Sequence, residues 1–213
     1  MLRHKFRNTL LLIIIISFIF GCGSKISCTI IPDYDKKGIR LVALMPITNK
    51  TGDAEAAVVL RKAILEKIYF KGYPKIPLNV VDEKIKKIYG NGKILEDKNI
   101  PPKAVGEILG VDAVMYCTLD EWKTSFMLIY ASTTVAISFE LRSAKTGEIL
   151  WKTNYKVAKR NYDFTKKRLE MKSCQMFELA AQEVVDKAMS TLPNGPDFMG
   201  VAPARKHHFL GLW

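Results

Sequence analysis

The first pattern in the chain that predicts structure is a nearly unbroken apolar run over residues 39–45, followed by a helical repeat. So few polar residues in so short a run are typical of a strand buried on both faces. After a turn at 49–52, Asp53 is expected to cap a helix that stops at Gly72. A buried strand leading directly into an amphipathic helix predicts an α/β layer. The positions expected on the buried face of this helix are Ala56, Val59, Leu60 or Ala63, Ile64 and Ile68.

Shorter segments separated by turn residues follow in the middle of the chain. Residues 76–80 alternate between apolar and other residues, which predicts a second strand. Asp82 is expected to cap a short helix over 83–89. Two prolines open another predicted helix at 101–109, because proline is tolerated in a first helical turn. The apolar segment 111–119 predicts a third, central strand.

The second half of the chain contains the clearest alternation. Apolar residues occupy every second position over 135–141 and again over 149–157, and Gly147 lies in the turn between them. This pattern predicts a hairpin with one face on the core and one in water. A long helix is expected over 169–192, with an apolar stripe that includes Phe177. Together these elements predict one α/β (α+β) domain over 39–196, a mixed β-sheet with helices packed on it.

Residues 1–21 are expected to be a targeting segment rather than part of the domain. A basic start precedes the apolar run 10–20, which is shorter than the roughly 20 residues that span a bilayer. The run ends at Gly21-Cys22, which looks like the lipobox of a bacterial lipoprotein, so Cys22 is the expected site of lipid attachment. An uncleaved anchor helix is the alternative. Residues 22–38 would then be the lipidated N-terminus and a short tether to the domain.

The charge balance narrows the choice of partners. The 213 residues include 33 Lys and Arg and 21 Asp and Glu, a net charge of +12. Removal of residues 1–21 takes away three basic residues and no acidic one, which leaves +9. A basic protein can bind nucleic acid, an anionic membrane surface or an acidic partner. Because an exported lipoprotein rarely meets nucleic acid, a membrane or an envelope protein is the expected partner.

The cysteines indicate little beyond this. Besides Cys22, the chain has Cys28, Cys117 and Cys174, so at least one thiol stays unpaired. Cys117 lies in an apolar segment and is expected to be buried. A disulfide between Cys28 and Cys174 is compatible with an oxidising envelope, but the sequence does not establish it.

Residues for catalysis or for a metal are not apparent in the sequence. His4 lies in the targeting segment, and His207 and His208 lie in the tail, so no histidine is expected in the folded domain as a general base. The spacings typical of zinc sites and of phosphate-binding loops are absent. Asp120 and Glu121 are adjacent on a strand and are expected to point to opposite faces. We therefore predict no enzyme activity, no cofactor and no metal.

Two basic segments are the predicted contact sites for a partner or a membrane. The first is the link before the long helix and the second is the tail, 197–213, where cations stand beside aromatic residues. A solvated loop and a disordered end are the alternatives. The predicted contact residues are Lys159, Arg160, Lys166, Lys167, Arg168, Arg205, Lys206, Phe209 and Trp213.

Two motifs resemble a known group of envelope proteins. The segment 41–51, LVALMPITNKT, is similar to the opening of TolB N-terminal-like domains, and 146–151, TGEILW, is similar to their closing hairpin. Behind a lipobox, this order resembles a family of bacterial lipoproteins of unknown function, with CsgG-type and LpoB-type lipoproteins as distant relatives. The resemblance implies a mixed sheet with helices over most of the chain and anchoring at the outer membrane, on its periplasmic or surface side. It implies no catalytic residue.

Two functions are consistent with these features. The first is a non-catalytic accessory or structural subunit of an envelope assembly or secretion complex, bound to a protein partner or to copies of itself. The second is a regulator that docks on a periplasmic cell-wall synthase and activates it.

Overall fold

The computed structural model describes residues 26–89 and 100–197. Within them lie six strands, four α-helices and one short 3-10 helix, at Tyr34–Lys37. The strands are β1 (Ser27–Ile30), β2 (Val42–Leu44), β3 (Thr48–Asn49), β4 (Ala113–Phe126), β5 (Tyr130–Ser143) and β6 (Ile149–Tyr162). The helices are α1 (Ala54–Phe70), α2 (Leu78–Tyr89), α3 (Pro102–Leu109) and α4 (Lys166–Ser190).

One mixed sheet holds all six strands in the order β1-β6-β5-β4-β2, and β3 also pairs with β4. The long strands β4, β5 and β6 form an antiparallel meander, whereas β2 and β3 lie parallel to β4. Gly147 in the β5–β6 turn has a φ of 77°, a conformation that glycine adopts without strain. The prediction of a single mixed α/β domain is confirmed.

Helices cover the two faces of the sheet unequally. On one face, α1 and α4 pack over the meander, and the core between them contains the largest buried side chains, including Trp151, Phe139 and Leu141. On the other face, α2 and α3 cover only the region of β2 and the start of β4, around Ala43 and Val114. The rest of that face, called here the open face, carries polar side chains such as Ser138 and Lys156.

The segment 76–80 differs from its prediction. It was expected to be a strand, but α2 begins at Leu78 and continues to Tyr89. The reason is the spacing of Val81 and Ile85, four residues apart and both fully buried against the second core, which fits a helix and not a strand. Tertiary packing of these two side chains therefore outweighs the alternation that precedes them.

Asp82 also has a different role from the predicted cap. It lies inside α2, and both of its carboxylate oxygens accept hydrogen bonds from Arg61 of α1, at 2.8 and 2.7 Å. The Arg61 side chain is almost buried, and it also donates to the backbone oxygen of Leu44 in β2 at 3.0 Å. One guanidinium therefore joins three elements, with the bidentate geometry that arginine provides.

Residues 22–38 were expected to be the lipidated N-terminus and a tether, but their described part, 26–38, packs on the domain. Residues 27–30 form β1, which pairs with β6 from Asn154 to Trp151. The 3-10 helix that follows buries Tyr34, whose hydroxyl lies 2.8 Å from the hydroxyl of Tyr73. Both hydroxyls are thereby satisfied inside the core, and the Tyr73 hydroxyl also donates to the Pro193 oxygen at 3.1 Å.

Replacing Asp82 tests the role of the buried guanidinium. Asp82→Asn removes the charge that pairs with Arg61 but keeps the size of the side chain. We expect a loss of about 1–3 kcal/mol in the free energy of unfolding, since a buried cation loses its partner while partial exposure of Asp82 admits water. Urea denaturation measures this change. Glu66→Gln, at the exposed pair with Lys75, is the control and should change stability by less than about 1 kcal/mol.

The tyrosine pair predicts a loss of stability at alkaline pH. Burial raises the pKa of Tyr34, and the neighbouring Tyr73 raises it further. An unfolded tyrosine ionises near pH 10, whereas the buried one keeps its proton, so the stabilisation is complete below that pH and declines above it. Between about pH 10 and 11 each such tyrosine should cost the fold about 1.0 kcal/mol.

Urea denaturation of the native protein and of Tyr34→Phe at the two pH values measures this effect. The variant should lose less stability over the interval, because one of the two titrating hydroxyls is gone. Tyr69→Phe, at a tyrosine that is 51% exposed, should leave the pH dependence unchanged. Equal pH dependence in all three proteins would show that residue 34 is not buried in solution.

Candidate functional site

A groove of about 610 Å³ lies between α1 and α4. Its floor is Trp122 of β4, and its walls are small or apolar side chains on the facing surfaces of the two helices. The apolar wall residues are Ala56, Val59, Leu60, Ala63, Phe177, Ala181 and Val185. An apolar concave surface of this size is the usual form of a binding site.

The floor depends on a stacked aromatic pair. The rings of Trp122 and Phe177 lie 4.6 Å apart between centroids, with an angle of 16° between their planes. Trp122 points to the helix side of the sheet, where it lies across from Val135 of β5. Aromatic stacking stabilises a pair of rings beyond the area it buries. The stacked rings therefore fix the shape of the groove floor.

Val59 shows how the groove arises from the sequence. It was predicted on the buried face of the first helix, but it is 54% exposed and lines the groove. The side chains that anchor α1 to the sheet are instead Leu60, Ile64 and Ile68, all at most 1% exposed. The apolar stripe on α1 is thus wider than the surface that the sheet covers. The uncovered edge of the stripe, which includes Val59, faces the groove.

Acidic residues dominate the rim of the groove. Five acids and one base lie around it, in a protein whose overall charge is strongly positive. Lys67 pairs with Asp186 at 2.6 Å across one end of the groove. Asp53 caps α1 by accepting a hydrogen bond from the Ala56 amide at 3.0 Å, as predicted. The rim acids are Asp53, Glu55, Glu66, Glu178 and Asp186.

Asp53, which caps α1, and two further rim acids have no cationic partner within the part of the chain that the structure describes. Glu55 lies near the start of α1 and Glu178 on the facing side of α4, and neither takes part in an ion pair there. An apolar floor with unpaired acids on the rim is complementary to an apolar segment that carries basic residues. In residues 26–89 and 100–197, no cluster of three or more metal-ligating side chains occurs.

Asp120 and Glu121 do not alternate as predicted. A register shift between Leu119 and Glu121 marks a β-bulge, which brings both carboxylates to the open face. Asp120 accepts hydrogen bonds from Lys50 at 2.7 Å and from Ser138 at 2.6 Å. The Lys123 and Lys156 side chains hydrogen bond to Glu121, and these bonds lower the pKa of its carboxyl. Both acids are thus held in ion pairs on the sheet surface.

The predicted basic link is divided between several surfaces. Lys159 lies on the helix side of β6 and pairs with Glu183 of α4, whereas Arg160 lies on the open face. Lys166, Lys167 and Arg168 form the first turn of α4. The link is therefore the end of a strand and the start of a helix, and its cations do not form one continuous patch.

The remaining predicted contact residues lie outside the described residues. Cys22, the predicted lipid attachment site, precedes residue 26, and the tail residues follow residue 197. These assignments stay predictions. The tail residues concerned are Arg205, Lys206, Phe209 and Trp213.

The cysteines of the domain are not joined in the structure. Cys28 is partly buried in β1, Cys117 is buried, Cys174 is exposed on α4, and all three are free thiols. Burial raises the pKa of the Cys117 thiol, so it stays protonated in the folded protein. The disulfide between Cys28 and Cys174 that the sequence left open is not formed.

The described residues thus make a mixed α/β domain with an acid-rimmed apolar groove, and comparison with known families places this domain in the class of bacterial lipoproteins. The family described as "Putative lipoprotein GNA1162-like" matches over residues 33–202, and the chain belongs to that family. The prediction of a bacterial lipoprotein family is confirmed.

The relatives agree with this assignment. The chain is 26% identical over 125 residues to the "Putative lipoprotein NMB1124/NMB1162" of Neisseria meningitidis serogroup B, a match that spans 56% of this chain and 58% of that relative. The crystal structure of lipoprotein GNA1162 from Neisseria meningitidis has a TM-score of 0.50 and 23% identity, over 67% of this chain and 98% of that one. This likeness confirms the fold.

A solved LpoB domain is more distantly similar. The C-terminal domain of LpoB from Salmonella enterica has a TM-score of 0.37 and 19% identity, over 56% of this chain and 83% of that one. The family and the Neisseria relative are described as lipoproteins, and neither description names an enzymatic activity. Over residues 26–89 and 100–197, no helix combines the length and apolar character that crossing a membrane requires.

The aromatic floor can be tested by stability. Phe177→Leu keeps an apolar side chain but removes the stack on Trp122, so we expect the free energy of unfolding to fall by about 0.5–1.5 kcal/mol. Phe164→Leu is the matched control, because Phe164 is 92% exposed and its replacement should have little effect. Urea denaturation of both variants gives the comparison, and equal stability of the two would contradict a stacked floor.

Proposed function

We propose that the protein is a lipid-anchored subunit of the bacterial envelope, a non-catalytic accessory of an assembly or secretion complex. Cys22 carries the acyl chains, and the outer membrane is the membrane to which they attach. Membership in a lipoprotein family supports the anchor. Stable attachment by lipid requires more than one chain, and a processed lipoprotein cysteine carries more than one.

The observation that carries the accessory role is the acid-rimmed groove between α1 and α4. Val59 leaves about half of its surface exposed there, beside the Trp122 and Phe177 rings. Interface cores are typically apolar and aromatic, with charged residues at the rim. A groove of this composition has the features of a docking site for a protein segment.

The occupant that fits the groove is an apolar segment of an envelope protein with Lys or Arg at its ends. Apolar side chains of that segment would contact the groove floor, and its cations would approach Glu55 and Glu178. Opposite charge at the rim mainly raises the rate and specificity of association, whereas the apolar floor supplies affinity. A second copy of this chain, or its own tail, is the competing occupant that the experiment distinguishes.

Crosslinking in intact cells tests the groove directly. Val59→Lys places a cation on the apolar wall, where it should exclude an apolar, basic segment and abolish crosslinks between the partner and α1 or α4. Val58→Lys is the matched control, since Val58 is 56% exposed on the same helix but does not line the groove. The crosslinked peptides, identified by mass spectrometry, should contain an apolar stretch flanked by Lys or Arg.

The identity of the crosslinked peptide decides between the occupants. A peptide from an assembly or secretion protein supports the proposal, and one from a cell-wall synthase replaces it with the regulator function. A peptide from residues 198–213 would show that the tail fills the groove. Equal crosslinking in Val58→Lys and Val59→Lys would show that the groove is not the contact.

Lipid attachment is tested separately. The mature protein should carry the mass of its acyl chains on Cys22 and should fractionate with the outer membrane. Cys22→Ser should abolish both the added mass and the membrane association. An unmodified Cys22 in the native protein would contradict the anchor without bearing on the groove.

A further inference from the structure

The far end of the meander carries an unusual surface, called here the tip. It consists of the β4–β5 turn, residues 126–130, and the connection from β6 to α4, residues 162–165. The two segments are joined, because the Asp163 amide donates to the Ile129 oxygen at 3.1 Å. The rings of Tyr130 and Tyr162 lie 5.9 Å apart at the base of the tip. The two segments thus form one connected surface.

Large apolar side chains of the tip lie in water. Leu128 is 97% exposed and Phe164 is 92% exposed. The turn sequence Phe-Met-Leu-Ile-Tyr contains none of the Gly, Pro, Asn, Asp or Ser residues that typically form turns. Single exposed apolar residues are common on proteins, whereas a contiguous group marks a contact with a protein or a membrane. The other exposed members are Phe126, Met127, Ile129 and Tyr162.

Cations surround this apolar group. The first turn of α4 consists of Lys166, Lys167 and Arg168 and contains no acidic residue. The N-terminus of a helix carries a partial positive charge, so three cations there oppose the helix dipole and cost stability. A local arrangement that costs stability is expected where function requires it. The tip therefore presents both the side-chain cations and the helix dipole to any neighbouring anion.

Few acids offset this charge. Asp163 is held by Lys172 at 2.9 Å and by the Thr165 amide, and these contacts lower the pKa of its carboxyl to about 2. Among the ion pairs of residues 26–89 and 100–197, none includes Arg160, Lys167 or Arg168. The surface around the apolar group thus keeps a net positive charge.

The start of the domain faces the same end. β1 runs antiparallel to β6, with Ser27 opposite Asn154, so the chain enters β1 from the side of the tip. Tyr162 lies eight positions after Asn154, a distance of about 27 Å along a strand. Ser27 lies five positions after Cys22, so the chain between them spans at most about 17 Å when fully extended. An acylated Cys22 can therefore come within roughly 10 Å of the level of the tip.

We infer that the tip is a membrane-contact site, in which its apolar side chains enter the interface of an anionic bilayer and its cations contact lipid phosphates. The inference rests on the proposed lipid anchor, because the anchor brings the tip to the membrane. Apolar side chains next to Lys and Arg are the usual composition of interfacial membrane contacts. A second copy of the chain is a poorer fit, since two tips meeting would bring like charges together.

An environment-sensitive fluorophore at the tip tests this inference. The acylated mature protein carries Leu128→Cys, with Cys28 and Cys174 replaced by serine so that only the tip is labelled. It is reconstituted on vesicles of phosphatidylethanolamine with or without phosphatidylglycerol. We expect a blue shift of the probe emission that grows with phosphatidylglycerol. Phe70→Cys, 67% exposed at the opposite end of the domain, is the matched control and should show no shift.

Charge reversal tests the basic contribution. Lys167→Glu with Arg168→Glu should weaken insertion of the probe on anionic vesicles by at least about fivefold for each cation removed. Lys86→Glu with Lys87→Glu makes the same change in net charge at two exposed lysines of α2, and it should have no effect.

The outcomes separate the tip from the anchor. If the protein stays attached to vesicles but the probe emission shows that it remains in water, the tip inference is overturned. The lipid anchor is unaffected by that result. Protein that carries no acyl chains and does not associate with vesicles overturns the anchor on which the inference depends. A blue shift that depends on protein concentration without vesicles would show that another copy covers the tip instead.

Discussion

The surfaces of this molecule follow from one constraint, the mismatch in length between its strands and the helices that cover them. Each strand of the meander has 14 residues, which corresponds to about 46 Å. α4 has 25 residues and α1 has 17, or about 38 and 26 Å at the rise of a helix. A sheet this long cannot be covered over its whole length by such helices, so some of it must face the solvent or another molecule.

The two exposed apolar surfaces, the groove and the tip, lie where α1 and α4 no longer cover the sheet. α1 starts at Ala54, at the level of the middle of the sheet, and Trp122 lies beyond the end of the parallel pair that β3 makes with β4. Phe177 of α4 stacks on that tryptophan, and both rings line the groove. Further along, the sheet continues to the start of α4, and the turn at 126–130 extends into water.

The open face is also left uncovered by helices, and it carries charged side chains instead of apolar ones. Acids in β4 and β5 pair with lysines of β6, as Glu121 does with Lys156 across β5 and Glu140 does with Lys152 on the adjacent strand. Cross-strand pairs of opposite charge stabilise a sheet and keep its surface soluble. The acids of the meander are therefore largely used on this face, and Arg160, Lys167 and Arg168 near the tip form no ion pair with the residues that the structure describes.

The sequence predicted the parts of the fold that depend on local periodicity. The core hairpin, α1 and its Asp53 cap, and α3 agree with the structure because their apolar residues repeat at the spacing of the element that they form. The segment 76–80 and the predicted tether were wrong because their structure depends on distant partners, such as β6 for β1. A local sequence pattern does not indicate which distant strand a segment will pair with.

The groove was harder to predict for the same reason. Phe177 carried a signal as part of an apolar stripe, but Trp122 lay past the predicted end of its strand, and only the bulge at Asp120 turns it toward the helices. A one-residue bulge reverses the facing of every residue after it. A large aromatic residue among polar residues, soon after an apolar strand, is the signal in the sequence that indicates such a continuation.

The positions of the tip and the groove together define how the domain would stand at a membrane. The tip lies at the end of the long strands, whereas the groove opens on the side of the domain, between two helices that run along the sheet. A tip resting on the bilayer would therefore leave the groove facing along the membrane surface. A partner segment would reach it from the side, in the layer next to the membrane, and the acids of the groove would lie apart from the cations at the lipid. Separating the two charges on one domain allows an anionic surface and a basic segment to be bound at the same time.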